Sequence, residues 1–357
     1  MHDSVTAKPS VTVIIPHLKN RALLESCLDS LRMTAYQDFT VLVVDNGAGS
    51  SDLSYIEVTY PEIQVLRLPS NAGYAGGCNE GLNHASTKYV VFLNDDTVVE
   101  PQWLDHLVSE AGSDDRIGAL QPKILSLPAR RDGRRMFDYA GAAGGLLDRL
   151  GYPFCLGRSF SGREDDLGQY DGSREIFWAS GVALFAPRQL LIKMGGFDAG
   201  FFMHMEEIDL CWRMKLAGYS IRSVPQSVVW HEGGASLNEG SPMKVYFNHR
   251  NGIAMLIRNR RARSLVLVLP VRLFLEAAAA CYYIAGGRGG LEKAWQVVRA
   301  AVDNIRGLGY TLRKRREIQR TRQKSDADLF RRAPLFMFLM RKVPLPISPE
   351  SETRRIS

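Results

Sequence analysis

Short runs of β-branched and aliphatic residues alternate with amphipathic segments along the first hundred residues. The apolar runs cover residues 11–15, 39–44, 63–68 and 89–93, and each ends in polar or turn-forming residues. Between the first two runs, apolar side chains recur at helical spacing over residues 23–31. This alternation is typical of β-α-β units and predicts an α/β fold around a mostly parallel sheet.

The pattern continues past residue 100 with one interruption. Residues 130–172 are rich in Gly, Arg and Asp and have weak periodicity, which indicates a loop-rich insertion near the acceptor side. Strand character returns at residues 178–185 and 221–230, with a helical pattern between them at 206–217. Ligands of open α/β sheets bind outside the carboxyl ends of the strands, so the polar residues that follow the strands are expected to share one site.

Helical segments follow after about residue 242, at residues 244–258, 265–285 and 291–305. We therefore divide the chain into an α/β domain at residues 1–240 and a C-terminal helical, basic region at residues 241–357.

Charge and cysteine content limit the partners and the cellular compartment that the protein is expected to have. The 357 residues are 45% hydrophobic and carry a formal net charge of +7, with Lys and Arg concentrated in the last third. Such a charge suits nucleic acid, anionic lipid or an anionic substrate. The five cysteines are scattered and form no C-x-x-C pair, which favours a reducing cytoplasm. The N-terminal run lacks the basic and apolar regions of a secretory signal, so we expect a cytoplasmic protein.

Asn94, Asp95 and Asp96 directly follow an apolar strand pattern. Carboxylates at a rigid strand end suit a hard divalent ion that holds a diphosphate. The alternative is that Asp95 and Asp96 cap a helix that starts near Pro101. Asp45 follows an earlier strand in the same way, although Asp-Asn-Gly is also a common turn sequence.

Residues 71–79 contain Gly73, Gly76 and Gly77 and predict a glycine-rich loop that opens a helix. Backbone N–H groups in such a loop can approach an anion. The spacing is not G-x-G-x-x-G, which argues against a dinucleotide site.

Two further candidates lie beyond residue 200. Glu206, Glu207 and Asp209 stand at the start of the predicted helix, where acidic side chains also interact favourably with the helix dipole. Because Glu206 and Glu207 point in different directions, one can serve the fold while the other faces the cleft. His231 follows a strand and precedes two glycines, which makes it a candidate ligand.

In this order, the elements resemble the inverting family 2 glycosyltransferases with a GT-A fold, in the rhamnosyltransferase-like and galactofuranosyltransferase-like branch. The resemblance covers roughly residues 11–259. It implies a Rossmann-like nucleotide-sugar-binding domain with a mostly parallel central sheet, followed by the C-terminal helical region. The residues that carry it are those at 12–16, 43–46, 71–79, 93–97, 206–207, 230–231 and 246–251.

The resemblance also implies roles for individual residues. Asp96 matches the main metal-binding carboxylate, and His231 matches a position that completes the metal or diphosphate site, with Mg²⁺ or Mn²⁺ as the ion. Glu207 falls where the family places its catalytic base, usually Asp in a Glu-Asp pair, and Glu206 is the alternative. The donor-binding residues would be Pro16, Asp45, Asn71, Gly76, Gly77, Asn79, Asn94 and Asp95.

The expected activity is transfer of a sugar from a nucleotide diphosphate to an acceptor hydroxyl with inversion. By this resemblance we expect the donor to be dTDP-rhamnose, with UDP-hexoses or UDP-galactofuranose as the next candidates. The acceptor would be a lipid-linked or cell-surface glycan. A nucleotidyltransferase acting on sugar phosphates, and a non-catalytic membrane-associated scaffold with this fold, are the alternatives.

The apolar segment 265–285 is long enough to span a bilayer, but it contains Pro270, Arg272 and Glu276. Arg272 and Glu276 lie four residues apart and are predicted to pair on one helical face. We expect a helix in the membrane interface, assisted by the basic residues of 313–324 on anionic lipid at the inner face of the cell membrane. The alternative is a packed helical subdomain with a dimer contact in a homo-oligomer. The sequence shows no nucleic-acid-binding module.

Overall fold

The computed structural model describes residues 10–47, 53–159, 162–233, 240–331 and 333–335. The strands are β1 (Val11–His17), β2 (Phe39–Asp45), β3 (Gln64–Arg67), β4 (Tyr89–Leu93), β5 (Thr97–Val99), β6 (Ile117–Ser126), β7 (Gly145–Leu147), β8 (Pro153–Cys155), β9 (Arg158–Ser159), β10 (Gly162–Arg163), β11 (Arg174–Ile176), β12 (Ala183–Pro187) and β13 (Ser220–His231).

The helices alternate with the strands at first and then follow one another. They are α1 (Arg21–Arg32), α2 (Ser54–Thr59), α3 (Gly73–His84), α4 (Trp103–Ala111), α5 (Leu127–Arg131), α6 (Arg188–Lys193), α7 (Glu206–Leu216), α8 (Pro242–Asn259), α9 (Ala262–Ala285), α10 (Gly290–Arg306), α11 (Leu308–Thr321) and α12 (Asp326–Phe330), with a 3₁₀ helix at Ala199–Phe201.

Nine strands form the central sheet, in the order β3-β2-β1-β4-β12-β6-β13-β11, and β5 pairs with the end of β13. Strands β1 to β4 run parallel, and β6 runs parallel to β13. Strand β12 runs antiparallel between β4 and β6. The prediction of a mostly parallel sheet is confirmed, and its first four strands match the predicted runs closely.

Strand β6 was missed by the sequence analysis because Gln121, Pro122 and Lys123 interrupt its apolar pattern. All ten residues of the strand are buried. The Gln121 amide donates to Gly141 O at 3.0 Å, and Lys123 Nζ lies 3.0 Å from an Asp166 carboxylate oxygen. Pro122 lies opposite Val224, where β13 bulges, which is a position that tolerates the missing N–H.

Two predicted boundaries were wrong. Strand β12 begins at Ala183 rather than 178, because Ser180 folds into a turn in which its hydroxyl accepts from Val182 N. The glycine-rich stretch is helical from Gly73 onward rather than a loop. A Cβ at Gly81 would lie 2.3 Å from Ile14 Cγ2, so glycine lets α3 pack directly against β1.

The C-terminal helices share a core with the α/β domain. Met255 and Leu256 of α8 are fully buried in the same hydrophobic cluster as Trp212 of α7. The Arg258 guanidinium lies 2.6 Å from the Asp198 carboxylate. Hydrophobic packing therefore continues across residue 240.

Helix α9 contacts the rest of the protein through the apolar side chains of Leu265, Val268 and Leu269 and through two buried charged residues. Arg272 Nε donates to Glu276 Oε1 at 2.6 Å, and both side chains are buried, which confirms the predicted pair. Arg272 also donates to Leu150 O, and Glu276 binds His249 of α8. By length and composition the helix could cross a membrane. Only 11% of its most apolar 18-residue stretch is buried in the protein.

The outer faces of α9 and α10 are apolar. The exposed side chains include Val266, Leu267, Phe274, Tyr282 and Ile284 on α9 and Leu291, Trp295, Val298 and Ile305 on α10. We call these nine residues the apolar face.

Part of the basic segment is used inside the protein. Arg315 donates to the carbonyl oxygens of Ile257 and Arg260, and Arg322 binds Asp326. Arg313, Arg316 and Arg320 are exposed.

Candidate active site

Asp96 and His231 meet because β5 pairs with the end of β13. Thr97 lies opposite His231 in this antiparallel ladder, which brings the turn after β4 against the last residue of β13. His231 Nε2 lies 3.2 Å from Asp96 Oδ1, and Glu232 N donates to Asp96 O at 2.9 Å. Both predicted metal ligands are buried side by side.

Asp138 holds the other face of the His231 ring. His231 Nδ1 lies 2.9 Å from Asp138 Oδ2, and Asp138 belongs to the insertion predicted to lie near the acceptor side, although it is not among the predicted site residues. Burial of the imidazole lowers its pKa, but the charges of Asp96 and Asp138 outweigh burial and raise the His231 pKa to about 10. A carboxylate on Nδ1 leaves Nε2 facing Asp96, which is the arrangement found around metal-binding histidines.

The pair fits a divalent ion only if substrate oxygens complete the coordination. Asp96 Oδ1 is buried and pairs with His231 Nε2 at 3.2 Å. Within the described residues, no group of three or more His, Cys, Asp or Glu side chains is arranged to hold a metal ion. Mg²⁺ is commonly bound by one or two carboxylates together with substrate phosphates and water, so a partial set of protein ligands is expected for a diphosphate site.

A second His–Asp pair lies at the adjacent strand ends. His17 Nδ1, at the end of β1, lies 2.6 Å from Asp95 Oδ2. Burial raises the pKa of Asp95, and the hydrogen bond from His17 opposes that effect. His17 Nε2 is buried with no hydrogen-bond partner in the described part of the chain. The sequence analysis missed His17, although it follows Pro16 directly.

Asp45 and Asn46 end β2 beside these groups. Asp45 is buried and accepts from Gly47 N at 3.0 Å. Asn46 accepts from Ala72 N and donates to Gly73 O, at 2.8 and 2.9 Å, and so ties the strand to the start of α3. Asn71 is exposed and accepts from Gly73 N at 2.8 Å, which forms a local turn.

The other predicted donor-binding residues make packing or backbone contacts. A Cβ on Gly77 would lie 3.2 Å from Asn46 Nδ2 and 3.5 Å from Pro16 Cβ, and one on Gly76 would meet Ala72. Gly77 therefore allows α3 to pack closely on the sheet, and Gly76 allows the close turn at the start of α3. Asn79 exchanges two hydrogen bonds with the backbone of Phe197, which favours a structural role. Asn94 is half-buried, and its carbonyl accepts from Thr97 Oγ1.

Glu206 and Glu207 form the first turn of α7. Burial, reinforced by the charge of Glu207, raises the pKa of Glu206 well above its usual range. Burial also raises the pKa of Glu207, which the N–H groups at the helix start hold to about 7. One carboxyl oxygen of each is buried without a hydrogen-bond partner.

The Cys155 thiol of β8 connects the two acidic groups. Burial chiefly raises its pKa to about 11, and the charges of Asp138 and Glu207 both add to that increase. Cys155 is therefore within electrostatic range of the carboxylate that orients His231 and of Glu207. Burial also raises the pKa of the Tyr74 hydroxyl on α3, and the charges of Glu206 and Glu207 add to that increase.

The segment before α7 has an unusual backbone. Phe202, His204 and Met205 have φ values of 65°, 64° and 73°, in the left-handed region that non-glycine residues rarely occupy. For a non-glycine residue this backbone conformation costs on the order of 1 kcal/mol or more, and it persists only where surrounding contacts hold it. We call residues 201–205 the glutamate loop because it leads into Glu206 and Glu207.

Comparison with known proteins is consistent with this geometry. Residues 12–167 match the family described as Glycosyl transferase family 2. The chain is 27% identical over 239 residues to an O-antigen biosynthesis protein of Myxococcus xanthus, covering 65% of this chain and 18% of that protein. It is 26% identical over 244 residues to an N-acetylglucosaminyl-diphospho-decaprenol L-rhamnosyltransferase of Mycobacterium tuberculosis, covering 64% of this chain and 78% of that protein.

The fold is also found among solved glycosyltransferases. The crystal structure of GalNAc-T7 with UDP, GalNAc and Mn²⁺ superposes with a TM-score of 0.55 and 16% identity, over 71% of this chain and 48% of that one. The chain therefore spans about half of that structure and less than a fifth of the myxococcal relative. From the sequence match, the sheet topology and this structural likeness, we conclude that the chain contains a family 2 glycosyltransferase domain with the GT-A fold.

Proposed function

We propose that the protein transfers a sugar from a nucleotide-diphosphate donor to an acceptor hydroxyl with inversion at the anomeric carbon. The observation that carries this proposal is the contrast between two acidic groups whose charges both act on the buried Cys155 thiol. Asp138 beside His231 has a lowered pKa, because interactions with His231 and backbone N–H groups outweigh the opposing effect of burial. Glu207 has a pKa of about 7 because it is buried. Environments that separate carboxyl pKa values in this way are typical of paired catalytic roles.

Glu207 would act as the general base. A carboxylate with a pKa near 7 can accept the proton of the acceptor hydroxyl at neutral pH and is a stronger base than a solvated glutamate. Glu206 is more deeply buried and carries a pKa still further from its usual range, which suits a neutral, structural side chain. We therefore assign the base to Glu207, although the pair here is Glu-Glu.

Asp96 and His231 would hold a Mg²⁺ or Mn²⁺ ion together with the donor's diphosphate. When bound, that ion supplies Lewis-acid stabilisation of the leaving nucleotide. Asp138 would fix the ring of His231 so that Nε2 stays directed at the site. Support comes from the buried pairing of Asp96 with His231 at the strand ends and from the Mn²⁺ in the GalNAc-T7 structure.

The carboxyl ends of β1, β2 and β4 would bind the nucleotide and sugar. Asp45 would contact the base or ribose, and Asp95 would be oriented by His17. We propose dTDP-rhamnose as the first donor to test, since one relative is named an L-rhamnosyltransferase, with UDP-hexoses and UDP-galactofuranose after it. A nucleotidyltransferase activity is not favoured, because the family match points to glycosyl transfer.

The acceptor would be a lipid-linked or cell-surface glycan reached at the inner face of the cell membrane. The apolar face of α9 and α10 supports this proposal, because exposed aromatic and aliphatic side chains on neighbouring helices suit the bilayer interface. Arg272 and Glu276 are buried against the protein, which favours a helix lying on the membrane over one crossing it. Exposed Arg313, Arg316 and Arg320 would add attraction to anionic lipid.

Donor binding can be tested directly with the purified chain. We would incubate it with dTDP-rhamnose, UDP-galactofuranose and UDP-hexoses, each with Mn²⁺, with Mg²⁺ or with a chelator, and measure thermal stability and nucleotide release. The proposal expects one donor to stabilise the protein only when the metal is present. A protein that responds to none of these donors under any condition would contradict it.

A further inference from the structure

We propose that Asn251 of α8 is a positioning residue that fixes the glutamate loop and thereby places Glu207 for catalysis. Its side-chain nitrogen lies 3.1, 2.8 and 2.8 Å from the carbonyl oxygens of Phe201, Met203 and His204. The side chain is almost fully buried. A single amide from the C-terminal helices thus binds three of the five peptide groups that lead into the catalytic pair.

The glutamate loop needs such an external partner. Helix α7 has no side-chain cap, and its N-cap residue, Met205, is itself in the left-handed conformation. A strained backbone relaxes unless neighbouring contacts fix it. Because relaxation at Met205 would turn the first residues of α7, the direction of the Glu207 side chain depends on contacts made before the helix begins.

Other contacts from the same side act in the same sense. The Phe247 ring of α8 stacks on Phe202 with centroids 5.8 Å apart, and Arg250 donates to Gly200 O at 2.8 Å. Asn304 of α10 donates to Arg250 O at 3.0 Å and so supports α8 from behind. On the opposite side, Phe202 O accepts from Ala75 N of α3. The loop is held between the donor side of the domain and the C-terminal helices.

Only an amide of this length meets the chemical requirement. Asparagine supplies two N–H donors to carbonyl acceptors, whereas an aspartate of the same shape supplies none when ionised and would face three carbonyl oxygens with its charge. Serine keeps one donor. Asn251→Asp therefore removes the donors at nearly constant size, and Asn251→Ser keeps one donor on a shorter side chain.

Gln319 provides a matched control. Gln319 lies on α11, and its side-chain nitrogen is 3.0, 3.2 and 3.5 Å from the carbonyl oxygens of Arg258, Asn259 and Arg260 at the end of α8. It makes the same kind of contact without touching the glutamate loop. Gln319→Ala measures what the loss of such an amide does to the fold alone.

The inference rests on the proposed transfer reaction, so the experiment has one arm that does not need activity. Hydrogen–deuterium exchange of the full-length chain would report on the amides of residues 202–208. We expect exchange there to be on the order of tenfold faster in Asn251→Ser and faster still in Asn251→Asp, and unchanged in Gln319→Ala. Unchanged exchange in both Asn251 variants would overturn the proposal, whether or not transfer is detected.

Steady-state kinetics with an active donor supply the second arm. Misplacing a catalytic group by about 1 Å can cost ~100-fold in rate, so kcat should fall roughly 10- to 100-fold in Asn251→Ser while KM for the nucleotide sugar stays within about twofold. Equal losses of kcat in Gln319→Ala, or a normal kcat in Asn251→Ser despite faster exchange, would overturn the catalytic role. If Asn251→Asp does not fold, Asn251→Ser carries both arms. A wild-type chain without transfer activity would count against the proposed function, and the exchange arm would still decide on Asn251.

Discussion

His231 Nδ1 lies 2.9 Å from Asp138 Oδ2, although 93 positions separate the two residues along the chain. His231 ends the longest strand of the sheet, and Asp138 comes from the irregular insertion after β6. The insertion therefore contributes to the site by orienting a predicted ligand.

Replacing Asp138 by Asn should weaken metal binding without unfolding the protein. Loss of a carboxylate that hydrogen-bonds to a metal-binding histidine typically lowers metal affinity about 10- to 100-fold. We expect that loss for Mn²⁺ measured by calorimetry in the presence of UDP or dTDP. Asp132→Asn, an exposed carboxylate at the end of α5, is the control and should bind Mn²⁺ normally. Equal affinity in the two variants would count against the orienting role.

Of the pair His231 and Asp138, the sequence predicted His231 as a site residue. His231, like Asp96, follows a strand pattern, and polar residues at strand ends gather at one edge of an α/β sheet. Asp138 could not, since residues 130–172 have no periodicity that would show which side chain points inward. The structure packs this segment through Phe137, which is fully buried next to Asp138.

Activity should depend on the protonation of Glu207. Its pKa of about 7 predicts that kcat/KM, at saturating Mn²⁺, rises with pH through about 7 and then levels off. The ionisable groups that interact electrostatically with it are Glu206, Tyr74 of α3, Cys155 of β8 and Cys211 of α7, and the raised pKa of each keeps it neutral at that pH. A solvated glutamate would instead give a flat profile above pH 6. A flat profile would remove Glu207 as the titrating base.

Stability should show the opposite pH dependence. The folded pKa of Glu207 lies above its unfolded value near 4.5, so the folded state binds more protons between those two values. The free energy of unfolding should therefore fall as pH rises from 4.5 through 7. Glu207→Gln removes that loss and should raise the melting temperature at pH 8 while changing little at pH 4.5.

A glutamate in the first turn of another helix provides the comparison. Glu292 begins α10 and is exposed, so Glu292→Gln should leave the melting temperature nearly unchanged at both pH values. A stabilisation by Glu207→Gln that is equally large at pH 4.5 and 8 would show that charge burial is not its cause.

Membrane association can be tested at the apolar face. Trp295 is 62% exposed on α10, and Trp295→Glu should reduce binding to vesicles of anionic phospholipid several-fold in a sedimentation assay. Val58 of α2 is 84% exposed on the α/β domain, and Val58→Glu should have no effect. Binding by wild type that high salt weakens would support the contribution of the arginines. Wild-type protein that stays in the supernatant at low salt would contradict peripheral attachment.

The glycines and asparagines show where sequence reasoning reached its limit. The sequence predicts Gly76 and Gly77 in a loop open to an anion, whereas both lie inside α3. A Cβ on Gly77 would press on Asn46 at the end of β2 and one on Gly76 would meet Ala72 at the start of the same helix, contacts that the sequence pattern does not reveal. Asn251 lies within a predicted helix, and its contacts with the glutamate loop are made 47 to 50 positions away. Periodicity identifies buried faces, but it does not show which backbone groups a buried amide will meet.

The central claim is that Glu207 is the base of an inverting, metal-dependent sugar transfer, and one comparison tests it most directly. Wild type, Glu207→Gln and Glu206→Gln would be assayed with the donor that stabilises the protein, Mn²⁺ and a membrane lipid extract, with the product's anomeric configuration determined by NMR. We predict inverted product from wild type, and a loss of about 100- to 10,000-fold in Glu207→Gln with donor binding retained. Near-normal transfer by Glu207→Gln together with an inactive Glu206→Gln would contradict the assignment.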